Sequence, residues 1–453
     1  MSRSFISPND PTLFGSCDSE TIQNAVARAV ETGCRRVEIP RYNARRDEMK
    51  WVVGKAIRLP GDFTLILDNC VMIQESGVYD HMFMNESAWD FDKVHRREDG
   101  QRNIAVIGRG NVLLSGGEHN GLLEKTACRM GLPTIWRNTM FMWWNVDGLR
   151  VENLSVCHQR WWAMTHLYCR NVVLRDLDFF AVPHVPNMDG IDLRVGCHDF
   201  TLENITGRTG DDVIALTALS GAGERRRAVE GETGDICNVK IRNVLADPFT
   251  CLVVRLLNED GNRIHHVDLD GICDVSWFGQ KRRPGATLAM GGQGDLYASL
   301  RSGGKGETRL VSGRHLSGRG AAVIRFDKSC EDMDFTDVKT FGDNSIAVGT
   351  TGLGADLSGV VIDGLFYGSQ PKATFAPTTA NPQCYRNTLI RLPRTRGELT
   401  VKNAEADHLD RLCELGEDLT VRLDVLREPE VKEPMPIPKG AHLYLNGKEQ
   451  DHA

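Results

Sequence analysis

The chain opens with one helical pattern and then turns almost wholly to strand patterns. Ile22, Ala25, Val26, Ala29 and Val30 recur at helical spacing behind the N-cap candidates Asp18 and Ser19, and Gly33 ends the run. Val37-Glu38-Ile39-Pro40 follows as a strand. From there the apolar period is two, as in Phe63 to Leu67 and Ile104 to Ile107, short runs bounded by turn residues.

A short template then recurs: apolar, any, apolar, polar, one of Asn, Asp or Gly, apolar. It is met by Leu149 to Leu154, Val172 to Leu177, Phe200 to Ile205, Val239 to Val244, Val267 to Ile272, Met333 to Val338 and Val360 to Leu365. Successive starts are 23, 28, 39, 28, 66 and 27 residues apart. The excess is expected in Gly- and Arg-rich loops, Leu219 to Gly234 and Gly279 to Gly318. A repeat of this length with strands, turns and almost no helix is a solenoid. The Leu/Asn frame of leucine-rich repeats is missing, and a β-propeller needs longer, four-stranded units. The pattern therefore predicts an all-β fold, a right-handed parallel β-helix with the N-terminal helix capping its apolar core. We expect the β-helix over residues 1–385. Residues 386–453 are expected as a C-terminal tail of strands and extended chain around Pro429, Pro434, Pro436 and Pro438, packing on the last coil.

Composition narrows the function classes. The formal charge of −7 over 453 residues speaks against a nucleic-acid partner, which needs clustered basic charge. Arg225-Arg226-Arg227 and Lys281-Arg282-Arg283 are expected as solvated loop charge. No apolar run is long enough to span a bilayer, and Met1 to Pro8 lacks the apolar core of a signal peptide. Thirteen cysteines, none in a Cys-x-x-Cys pair, are expected as reduced thiols in a cytoplasmic protein.

The candidate chemistry lies in a second strand that follows the template strand in each coil. These strands are expected at Arg160 to Met164, Asn187 to Leu193, Gly210 to Leu216 and Thr250 to Arg255. Stacked in register, about 4.8 Å apart, they set Asp189 beside Asp211 and Asp212, with Trp161 one coil before and Arg255 two coils after. Carboxylates that close cannot all ionise easily, so one should act as an acid beside a base, which is what glycoside hydrolysis requires. Asp176, Asp178 and Asp192 fit a plainer role, as turn and ladder residues that bond the backbone.

The same residues resemble a known family. Glu20 to Val26 with Val37 to Pro40, Cys169 to Asp176, Asn187-Met188-Asp189-Gly190 and Gly210-Asp211-Asp212 are similar to motifs of the polygalacturonase-like glycoside hydrolases, family 28 of the pectin-lyase-like superfamily. The resemblance covers residues 15–370 and is strongest over 161–216. It implies Asp211 as general acid, Asp189 and Asp212 holding the attacking water, inversion at the anomeric carbon and no metal or other cofactor. Two motifs of the family are not met. Phe249-Thr250-Cys251 stands where Gly-His-Gly belongs, and the Arg-Ile-Lys that grips a uronate carboxylate has only Arg255 and Lys281 as candidates.

Trp161, His184 and Asn187 join Arg255 as candidate substrate contacts, and of Trp143-Trp144 and Trp161-Trp162 strand alternation turns one of each pair inward. The partner is expected to be an oligo- or polysaccharide, pectic or related. The rivals are a polysaccharide lyase on the same fold, using Arg255 and the acids, and a glycan-binding β-helix without catalysis.

Overall fold

The computed structural model describes residues 5–89, 95–118, 138–181, 187–249, 251–259, 261–276, 285–291, 303–341, 345–351, 354–368, 387–427, 429–433 and 435–451. Among the described residues, apart from a helix at Asp18–Glu31, a single turn at Ala222–Arg225 and three short 3₁₀ segments, the regular elements are strands. Among the described residues no helix is long and apolar enough to cross a membrane. The chain divides into two compact units, 1–211 with 221–234, and 212–220 with 235–453.

In the first unit the long strands Arg36–Pro40, Phe63–Asp68, Gln101–Arg109, Val146–Cys157, Arg170–Phe180 and His198–Thr209 pair in parallel, each with the next. A second sheet stacks Ile57–Leu59, Phe83–Asn85, Phe141–Trp144, Met164–Leu167 and Ile191–Leu193 the same way. The second unit repeats the plan. Its long strands run from Ile236–Pro248 to His442–Leu445 and its short ones from Ile214–Ala218 to Arg411–Leu415. Two parallel sheets wound by one chain, one coil per repeat, make a right-handed parallel β-helix. Parallel pairing continues past residue 385, through Thr388–Leu392, Arg396–Ala406 and Leu419–Val425.

The template is the code for a corner. Each long strand that carries the template bends at two residues with left-handed backbone, five positions apart, as at Gly148 and Asn153, Asn171 and Asp176, Asp199 and Asn204 in the first unit, and Asn238 and Asn243 in the second. The template's Asn, Asp or Gly occupies the second of these, the residue types that tolerate a positive φ. The side chains also tie coil to coil. Asn204 Nδ2 donates to Asp176 Oδ1 at 2.8 Å, and Thr206 Oγ1 to Asp178 Oδ1 at 2.9 Å. Asp176 and Asp178 are thus ladder residues, as expected.

The Gly279 to Gly318 loop is corrected: it holds strands at Ala286–Met290 and Thr308–Gly318, another full coil. Its corners are Leu310 and His315, both at φ 55°. Gly313 fills the central apolar position, where a Cβ would lie 2.9 Å from the Phe335 ring. Large Phe335 in the next coil and small Gly313 share one volume, and the template misses both substitutions.

The N-terminal helix buries Ile22, Ala25, Val26 and Ala29 against the first strands. Cys17, not Asp18 or Ser19, is its N-cap. Asp18 instead accepts the Val52 N–H at 2.8 Å and pairs with Arg45 at 2.7 Å, joining helix to coil. The described cysteines are all free thiols. The Arg225 to Arg227 run is not wholly solvated, because Arg227 is buried and burial pushes its pKa down to about 10.

His166 lies inside the first unit, edge-on to Phe200 at 5.6 Å, with Nδ1 donating to the Asp192 carbonyl at 3.1 Å. Burial pushes its pKa down to about 4. The unfolded chain therefore takes up this proton first, near pH 6.5. Stability is full above that pH and falls as the pH drops toward 4, by about 3 kcal/mol across the window. Urea midpoints between pH 7 and 4.5 should fall less steeply for His166→Gln, which keeps a donor and does not titrate. Equal slopes in both proteins would refute this.

Candidate active site

The acids do not head the strands. Regular pairing begins at Met164, Ile191, Ile214 and Leu252, so Asp189, Asp211 and Asp212 lie in the turns that lead into the short sheet. The expected strand starts at Arg160, Asn187, Gly210 and Thr250 are each too early. Simple strand stacking therefore does not set the spacing of these carboxylates. The turns do.

In the first unit two turns are laced together. Gly210 N–H donates to the Met188 carbonyl at 3.0 Å, and Ala163 N–H to that of Asp189 at 3.0 Å. Fully buried Gln159 donates from Nε2 to the Met188 and Asp189 carbonyls at 3.3 and 3.2 Å. Asn187 holds φ at 61°, which explains its residue type, and aims its own N–H at the Asp211 carboxylate, 3.0 Å away. Asp189 is 5% exposed and Asp211 half-buried. The main chain of Asn187 thus touches Asp211, and the turn that carries Asp189 is hydrogen-bonded to the one that carries Asp211.

In the second unit Asp212 is buried and its carboxylate receives Leu252 N–H at 3.1 Å and Arg255 Nη2 at 3.2 Å, while Arg255 Nε stands 2.5 Å from Oδ2. This is an ion pair with one charge-assisted hydrogen bond from the guanidinium. Arg255 sits on the next short strand opposite Ala215, whose side chain ends at Cβ. Register continues Arg255 through Ala289 to Arg325, which binds Asp327 at 2.6 Å, and through Gly349 to Arg391, which binds Glu414 at 3.1 Å. Each arginine of this file faces a carboxylate of its own chain. Arg255, a candidate substrate contact by sequence, is here paired with Asp212.

The aromatic expectations divide. Trp161 is 8% exposed, whereas Trp162 is partly open to solvent, with the Arg194 guanidinium 4.8 Å from its ring centre. Arg194 also pairs with Glu224. Trp143 points into the interior beside Phe141, and Trp144 is covered from outside by the His95 ring and by Arg227, whose carbonyl accepts its indole N–H at 2.8 Å. Gln159 and Arg194 escape the sequence reading. Arg194 had a weak signal, a charge closing the short strand Ile191 to Leu193. Gln159 had none. His184, Thr250 and Lys281 lie outside the described residues.

Comparison with known proteins bears on the fold. No protein-family model matches the chain, and no curated protein sequence matches it. Among solved structures, the family 28 exopolygalacturonase of Yersinia enterocolitica aligns at 13% identity with a TM-score of 0.52, covering 97% of this chain and 78% of that one. PfbA, a surface adhesin of Streptococcus pneumoniae, aligns at 13% identity and 0.55, covering 91% and 93%. The endo-xylogalacturonan hydrolase of Aspergillus tubingensis aligns at 11% and 0.50, covering 92% and 95%. The shared feature is the parallel β-helix. At these identities it is the fold alone that is shared.

Proposed function

We propose that this β-helix is a glycoside hydrolase of the polygalacturonase-like kind, cleaving a pectic or related glycan by inverting acid/base catalysis. The observation that carries the reading is the lacing of the two acidic turns, Gly210 to Met188 and Asn187 to Asp211, which sets Asp189 and Asp211 in neighbouring coils. Structural turns rarely need carboxylates so placed. Asp211, half-buried, protonates the leaving oxygen, and Asp189 activates water on the opposite side of the sugar ring. Asp212, held within its own unit by Arg255 and the Leu252 amide, keeps the share in positioning that water which the family resemblance gives it. The likeness in fold to hydrolase structures supports this reading. The equally similar adhesin makes a protein with purely structural acids its direct competitor.

The test is incubation with a panel of pectic and neutral polysaccharides, following reducing ends and the anomeric configuration of fresh product by NMR. The expected result is cleavage of one class with inversion. Retention would reverse the assigned role of Asp189. An unsaturated product would replace the hydrolase by a lyase, and no cleavage of any glycan would favour the adhesin-like reading.

A further inference from the structure

The short sheet of the first unit is closed on one side of the acids. Phe83 stacks on Phe141 at 5.1 Å, Phe141 meets Trp143 at 6.1 Å and His166 meets Phe200, so these residues face the interior. By alternation the file Met84, Met142, Thr165, Asp192, each paired with the next, faces outward. An open groove would leave that file wet. Every one of the four is at most 1% exposed, and the file turns from polar to apolar with distance from the acids.

Part of the cover is the segment Gly221 to Gly234 with its single helical turn. Val229 joins Met84, Met142, Trp144 and Leu167 in one apolar cluster, and Ala88 completes it. The segment is pinned by the Trp144 indole on the Arg227 carbonyl, by Glu230 N–H on the His95 carbonyl at 2.7 Å, and by Arg97 to Glu232 at 2.8 Å. Its first turn reaches toward the acids, because Glu224 pairs with Arg194, which lies over Trp162. Trp162 is one residue from Ala163, whose N–H holds the Asp189 carbonyl.

We infer that this flap ends the binding site beside Asp189, so that the protein takes the terminus of a glycan chain and acts as an exo-enzyme, with Trp162 and Arg194 as the end wall. The inference rests on the hydrolase reading and adds which part of the substrate is bound. A fixed wall leaves room for sugars on one side of the scissile bond only up to its own edge, so interior segments of a polymer cannot be seated.

The experiment digests a susceptible long polymer and follows viscosity and product size together. Wild type should release one short product from the first time point, with viscosity falling slowly per reducing end. The variant Glu224→Gln/Glu232→Gln, which cuts two ion pairs of the flap and leaves its apolar contact, should yield mixed sizes and a faster fall. Mixed sizes from wild type would overturn the end wall and leave the hydrolase standing. A second arm, binding of the Asp211→Asn protein to equal masses of long and partly hydrolysed polymer, is independent of turnover and of the variant's folding. Capacity that rises with the number of chain ends supports the wall even if nothing is cleaved, when only the hydrolase reading falls. Capacity independent of chain ends, or no binding with no cleavage, overturns the wall.

Discussion

Asp211→Asn is expected to lower kcat by about 10²–10⁴-fold, the usual contribution of a positioned general acid. KM and thermal unfolding should stay near those of the wild type. The substitution is close to isosteric, and the contact that orients the side chain survives, because the carboxamide oxygen can still accept the Asn187 N–H that now lies 3.0 Å from the carboxylate. What is lost is the transferable proton. Substrates with a good leaving group, which need less protonation, should lose less rate. Full activity in the variant, or a collapse of folding with it, would remove Asp211 from the mechanism and make it a turn residue like Asp176.

The coil was legible because its corners are local. Asn153, Asp176, Asn204 and Asn243 each supply a left-handed bend that few residue types adopt, and a local constraint writes itself into sequence. The coil at Thr308–Gly318 was hidden because its corner is His315 and its core position Gly313, and Gly313 makes sense only against Phe335 of the next coil. Site geometry is non-local in the same way. The acids were visible as residue types. Their entry in turns, the grip of Arg255 on Asp212 and the lacing by Gln159 depend on partners 30 to 43 residues away. The flap is the extreme case, since nothing in Gly221 to Gly234 names Trp144 or His95 as its seat.

The largest stability effect is expected at Lys328. Its Nζ lies 3.0 Å from Glu259 Oε1 and 2.7 Å from the Asn258 carbonyl, with both side chains less than a tenth exposed. Asn258 in turn accepts Thr308 Oγ1 at 2.6 Å and donates to the Asn262 carbonyl at 3.0 Å, so the pair sits in a polar network at the end of strand Leu252–Asn258. Lys328→Met removes the cation and leaves the buried carboxylate, a loss of about 3–5 kcal/mol. Lys328→Met/Glu259→Gln removes both charges and should recover most of it, because burying an ion pair already costs much of what its attraction returns. A solenoid couples each coil mainly to its neighbours. The loss should therefore appear first as faster hydrogen exchange in Leu252–Asn258 and Ala322–Phe326, ahead of any change in the N-terminal coils. A single variant as protected as wild type would show that the charge is solvated in solution. A double variant no better than the single would mean that the pair, and not just its balance, fixes the register of these coils.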